Sequence, residues 1–225
     1  MKQKLKVIIT GASGMVGEGV AQVCLENPDI EKVLVVGRRP SGLVHSKLEE
    51  IIIPDLMDLS QIKEDLKGYD ACFFCLGISS VGIDAEDYYR TTYTLTIKFA
   101  EVLAGLNTAP VFCYVSGAGT DRSEKGRIRW ARVKGKTEND LTQLGFRKVY
   151  GFRPGFIRPI KGLSHTSKYY RYVKWMFPIG RKLYPTGFCT MEELALSMIY
   201  LAKNDFEKQV ISGLDIISLA QKEKA

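Results

Sequence analysis

Lys6–Asn27, KVIITGASGMVGEGVAQVCLEN, reads as strand, tight turn and helix. The apolar run Leu5–Thr10 is followed by Gly11, Gly14 and Gly17, and then by a helical apolar pattern. A glycine at such a turn permits backbone angles that a Cβ forbids. A second lets the main chain approach a pyrophosphate, and a third lets the helix pack on the sheet. The helix N-terminus offers free N–H groups and a partial positive charge to phosphates. The spacing alone is a weak signal; its place after a strand and before a helix is the context the motif requires. The alternative is a glycine-rich turn that holds no ligand. With Gly11, Gly14 and Gly17, the turn residues Ser13, Met15 and Val16 are the expected phosphate contacts.

The chain has 225 residues, a formal charge of +7 and 45% hydrophobic residues, which suits one globular domain with a large core. No apolar run approaches the roughly 20 residues that span a bilayer. Met1-Lys2-Gln3-Lys4 runs into a strand without a small-residue cleavage site, so no signal peptide is expected. Five cysteines give no disulfide framework. Cys72 and Cys75 form a C-x-x-C inside a strand, where residues three apart face opposite sides. Core cysteines and a reducing cytoplasm are the expectation. The two histidines, His45 and His165, show no metal-ligand spacing, so no metal is expected. The charge is uneven: no Asp or Glu lies between Leu141 and Met191, while that segment carries ten Lys and Arg. Such a field draws anions, whether a phosphorylated cofactor, an acidic small molecule, nucleic acid or anionic lipid. It is equally a solvated basic face.

Outward from the first unit, strands alternate with helices. Lys32–Val36, Glu50–Ile53, Ala71–Leu76, Val111–Ser116 and Val149–Arg153 read as strands two to six. Asp84 opens a long helix with Tyr88, Thr92, Leu95, Phe99, Val102 and Leu106 on one face, and a second helix covers Ser123 to Leu144. This alternation predicts an α/β fold, a doubly wound parallel sheet of Rossmann type in the order 3-2-1-4-5-6. One domain is expected over 1–225. Within it, 156–190 forms an irregular basic and aromatic lobe over the cleft. Thr190–Glu193 reads as a capping box that starts a helix, and Val210–Leu219 holds one more short strand.

Strand two ends Val36-Gly37-Arg38-Arg39-Pro40, where a site for NAD usually carries an acid. Two guanidinium groups stand there instead, and their planar forks suit a 2′-phosphate. NADP(H) is therefore favoured over NAD(H), the alternative being two solvated loop arginines. Asp55 past strand three, Leu76 and Gly77 at the end of strand four, and Pro154 closing strand six lie at strand carboxyl ends, where adenine and ribose contacts belong. Asp55 and Gly77 also read as ordinary turn residues.

With these residues in place the chain resembles the short-chain dehydrogenase/reductase superfamily, in its extended or atypical branch with the fingerprint T-G-x-x-G-x-x-G at Thr10–Gly17. GASGMVG, VGRRP, CFFCLGIS, VSGAG, VKGKTE and FRPGFI make it similar to the group of Tat-interacting protein oxidoreductases. The resemblance implies a Tyr-x-x-x-Lys pair on one helix face. In that pair the lysine binds the nicotinamide ribose and lowers the tyrosine pKa, while a serine after strand five holds a substrate carbonyl. Ser116 matches that serine and Lys134 the lysine, but the tyrosine position is Trp130. Indole has one N–H donor and no proton that titrates in this range. Three readings follow. One is an NADP(H)-binding protein with altered oxidoreductase chemistry or a cofactor-sensing role. Another is an active reductase or epimerase on an anionic substrate that uses a displaced acid, with Tyr88, Tyr89, Tyr114 and Tyr150 as candidates. The third is a module for acidic surfaces built on Lys168–Phe177, for which an amphipathic helix packed on the sheet is the favoured explanation over a membrane or nucleic-acid partner. The resemblance also implies a homodimer that pairs the helices at 84–106 and 123–145.

Overall fold

The computed structural model describes residues 4–106, 110–165 and 176–225. Its strands are β1 (Leu5–Thr10), β2 (Ile30–Gly37), β3 (Leu48–Ile52), β4 (Ala71–Phe74), β5 (Val111–Val115), β6 (Lys148–Arg153), β7 (Phe156–Arg158), β8 (Phe188–Thr190) and β9 (Val210–Ser212). Seven of them form a parallel sheet in the order β3-β2-β1-β4-β5-β6-β9. The expected order stands, and the short strand of the tail extends it beside β6, pairing Phe152 with Ile211. The helices are α1 (Met15–Glu26), α2 (Ala85–Tyr89), α3 (Leu95–Leu106), α4 (Arg129–Leu141), α5 (Met176–Leu183), α6 (Met191–Lys203) and α7 (Gly213–Lys224).

Alternation along the strands feeds two cores. Val7, Ile9, Phe73, Cys113 and Phe152 pack with Val20 of α1, Leu194 and Met198 of α6 and Ile216 of α7. Ile8, Leu34, Cys72, Phe74, Phe112 and Tyr114 pack on the other face with Phe99 and Leu103 of α3 and Leu141 of α4. Each large side chain so buried contributes about 1.5–3 kcal/mol. Cys72 lies in the second core and Cys75 packs against the first, so the C-x-x-C spans the sheet rather than forming a pair.

Several boundaries differ from expectation. Asp84 caps α2 by accepting from the N–H groups of Glu86 (2.8 Å) and Asp87 (3.1 Å). The long helix is interrupted by a π turn at Arg90–Thr94, a distortion that often accompanies functional sites. Helix α4 begins at Arg129 rather than Ser123 because Asp121 organises the preceding loop. Its carboxylate accepts from Ser123 N (2.9 Å) and Gly126 N (2.8 Å), and a Cβ on Gly135 would sit 1.8 Å from the Asp121 carbonyl oxygen. Thr190 and Glu193 form the expected capping box of α6. The final helix α7 was not expected. The lobe is built on parallel β7 and β8, with Phe156, Phe177 and Phe188 clustered at ring separations of 5.6–6.2 Å. Of the Lys168–Phe177 stretch, residues up to Trp175 lie outside the described residues; Phe177 is buried in this aromatic cluster.

Candidate dinucleotide site

A crevice of about 280 Å³ opens at the carboxyl ends of β1 and β4, where the strand order reverses direction, the usual place for a ligand in such sheets. Gly11, Ser13, Gly14, Met15 and Val16 form one wall, and Arg38 and Arg39 stand at the end of β2. Leu76 and Gly77 complete the lining with Cys75, Ile78 and Thr91, which no local sequence pattern marks. Thr91 arrives through the π turn. Asp55 is not among the lining residues. Its carboxylate accepts from Met57 N at 2.9 Å and closes a turn.

The three glycines do different work. Gly11 has φ +77°, and a Cβ there would lie 2.8 Å from the Cys75 carbonyl carbon and from Leu76 N. Gly17 lies beneath the crevice, and its Cβ would lie 2.2 Å from the Gly11 oxygen. Both are required by the fold. Gly14 has extended backbone, φ −131°, and the nearest protein atom to its Cβ would be 3.5 Å away. The fold tolerates a side chain at Gly14, yet that Cβ would enter the crevice. Gly14 also caps α1 with no side-chain hydrogen bond. The first N–H groups of the helix are therefore not covered by a capping side chain, as anion binding at a helix N-terminus requires. These features fit a dinucleotide pyrophosphate.

At the carboxyl end of β5 the Ser116 hydroxyl is turned onto protein partners. It is buried, lies 2.5 Å from Glu138 Oε1, to which it donates, and 3.1 Å from the Phe152 carbonyl oxygen. Glu138 is itself buried and accepts from Arg153 Nε (3.0 Å) and Nη2 (2.6 Å). The cause is local packing: Gly151 of β6 leaves the room, since a Cβ there would meet Glu138 at 2.7 Å. A glycine inside a strand marks such close approaches, though it does not name the side chain that fills the room. Lys134 reaches the same strand end, its Nζ donating to the Ser116 carbonyl oxygen. Burial holds its pKa below the ordinary lysine range, against the opposing pull of Glu138. Trp130 is half-buried and its ring lies over Gly119, where a Cβ would be 3.3 Å from Cη2. Pro154 is buried, and its carbonyl accepts from Ala118 N at 2.9 Å, joining the ends of β5 and β6.

Three of the four tyrosines considered as displaced acids are core residues. Tyr88, Tyr114 and Tyr150 are buried, and burial raises the pKa of each. The Tyr150 hydroxyl accepts from Phe206 N at 3.0 Å. Tyr89 alone is exposed, its ring tilted against that of Tyr93 with centroids 4.7 Å apart. One residue overlooked in the sequence also bears on the site. Glu18, buried in α1 just past the glycine turn, accepts from Ser164 N (2.6 Å) and His165 N (2.8 Å), and its Oε2 lies 2.9 Å from His165 Nδ1. It ties the lobe to the helix that would face the phosphates.

Sheet order, glycine turn and crevice together define a doubly wound dinucleotide-binding protein. The chain belongs to the NAD dependent epimerase/dehydratase family, whose model matches residues 7–125. It is similar to the HTATIP2 protein of Rattus norvegicus, 28% identical over 157 residues, which is 69% of this chain and 64% of the rat protein. The chain thus covers less than two thirds of that relative's length. It is 27% identical over 207 residues, 88% of each chain, to the FMP52 protein, named mitochondrial, of Debaryomyces hansenii. Among solved structures, the Bordetella bronchiseptica enzyme WbmF in complex with NAD+ shares the fold with a TM-score of 0.68 at 18% identity, covering 99% of this chain and 78% of that one. Among the described residues, no helix is long and apolar enough to cross a membrane.

Proposed function

We propose that the protein binds NADP(H) in this crevice and acts as an altered oxidoreductase or cofactor-responsive regulator, not as a tyrosine-dependent dehydrogenase. The observation that carries this reading is the fate of two hydroxyls. Trp130 stands where the acid belongs, and the Ser116 hydroxyl is committed to Glu138 at 2.5 Å. A side chain that cannot release a proton near neutrality cannot serve as general acid. When bound, the nicotinamide supplies a hydride donor or acceptor. In this reading Gly14 and the first turn of α1 hold the pyrophosphate. Arg38 and Arg39, both exposed at the crevice, hold the 2′-phosphate, and the Lys134 ammonium holds the ribose. All five cysteines are free, which supports a reducing compartment such as the cytoplasm.

The test is to incubate the protein with NADPH and a panel of aldehydes, ketones and nucleotide sugars, following nicotinamide absorbance and isotope exchange at the hydride position. The expected result is NADPH binding without the carbonyl turnover of a tyrosine-dependent dehydrogenase, in wild type and in Trp130→Tyr alike. Steady carbonyl reduction by the wild type at the rate of an ordinary tyrosine-dependent dehydrogenase, or no binding of NADPH, would overturn the reading.

A further inference from the structure

We infer that the outer face of α5 is a docking surface for an anionic lipid bilayer. At about 100° per residue, Met176, Ile179 and Leu183 fall within about 60° of arc. They are 42%, 52% and 78% exposed, and Tyr184 at the helix end is 64% exposed. The opposite side of α5 already has its partners. Phe177 is buried against Phe156 and Phe188, and Arg181 donates to the Phe188 carbonyl and pairs with Glu193. Among the described residues the outward stripe packs on nothing, and it exposes apolar surface that folding elsewhere hides.

Charge and size select the occupant. Lys182 is exposed beside the stripe on the same helix. It has no ion-pair partner among the described residues, and the sequence holds no carboxylate between Leu141 and Met191 to repel a negative surface. An apolar stripe flanked by a bare lysine, with an aromatic at its edge, is the composition that lies in a headgroup layer. A second copy of the chain would bring its own lysine against this one. The patch, on the order of a few hundred Å², is also short of the roughly 800 Å² per partner of a stable dimer.

The test is co-sedimentation of the full chain with vesicles of phosphatidylserine in phosphatidylcholine and with vesicles of phosphatidylcholine alone. The same runs use Ile179→Ser/Leu183→Ser and Lys182→Ala, with NADPH titration and circular dichroism as checks on folding. We expect sedimentation with the anionic vesicles only, declining with salt, abolished in the double variant and weakened about fivefold by Lys182→Ala. Equal sedimentation with both vesicle types, none with either, or a double variant that still sediments would overturn the inference. So would a wild-type dimer in light scattering that the double variant loses, which would give the stripe to a second copy. The variants lie outside the crevice, so failure here leaves the nucleotide reading standing.

Discussion

The crevice and the carboxyl end of β5 follow different logic. At the phosphate end, side chains are withdrawn: Gly11 and Gly17 are demanded by backbone contacts below 3 Å, and Gly14 leaves space that no protein atom fills. At the strand-five end, side chains are present and turned inward. Ser116, Glu138 and Arg153 satisfy one another, and Lys134 spends a hydrogen bond on the Ser116 carbonyl. The lesson is that a cradle made of backbone is independent of how the side chains at the neighbouring strand end are paired. A proton relay depends on where two hydroxyls point, and a single buried carboxylate redirects one of them.

Substitutions can break this contrast in order of size. Glu138→Ala strands the largely buried Arg153 guanidinium and loses about 3–5 kcal/mol in urea unfolding, while the crevice residues stay intact. Gly17→Ala drives a methyl onto the Gly11 oxygen and costs about 3 kcal/mol. Gly14→Ala costs no more than about 1 kcal/mol of stability, the loss expected at a helix N-cap, and weakens NADPH by at least about tenfold, about 1.4 kcal/mol. If both glycine variants lost stability equally, the division between fold and ligand would be wrong. Glu18→Gln loosens the lobe and lowers stability by about 1–2 kcal/mol, measured as earlier thermal unfolding. Trp130→Tyr has the smallest effect, with carbonyl reduction remaining at background because Ser116 still faces Glu138; a clear gain would show that one side chain was the whole barrier.

The glycine turn was legible in the sequence because glycine spacing, strand and helix are local signals, and Gly11, Ser13, Gly14, Met15, Val16, Arg38, Arg39, Leu76 and Gly77 line one crevice. Sheet order was legible from the alternation of elements. Helix α7 was missed although Ser212 and Asp215, whose carboxylate accepts from Ser212 N at 3.3 Å, carry a capping signal. The start of α4 was misplaced because Asp121 and Gly135 meet only in three dimensions. The partners of Ser116 were not legible. Its direction depends on Glu138, twenty-two positions on, and on Gly151 in the neighbouring strand, and no local pattern reports such a meeting.

Calorimetric titration of NADPH and NADH into the wild type and into Arg38→Ala tests the central claim most directly. The account predicts tight binding of NADPH, weaker binding of NADH, and an Arg38→Ala variant that loses about 1.5–3 kcal/mol toward NADPH alone. Binding of neither nucleotide by the folded wild type would contradict it.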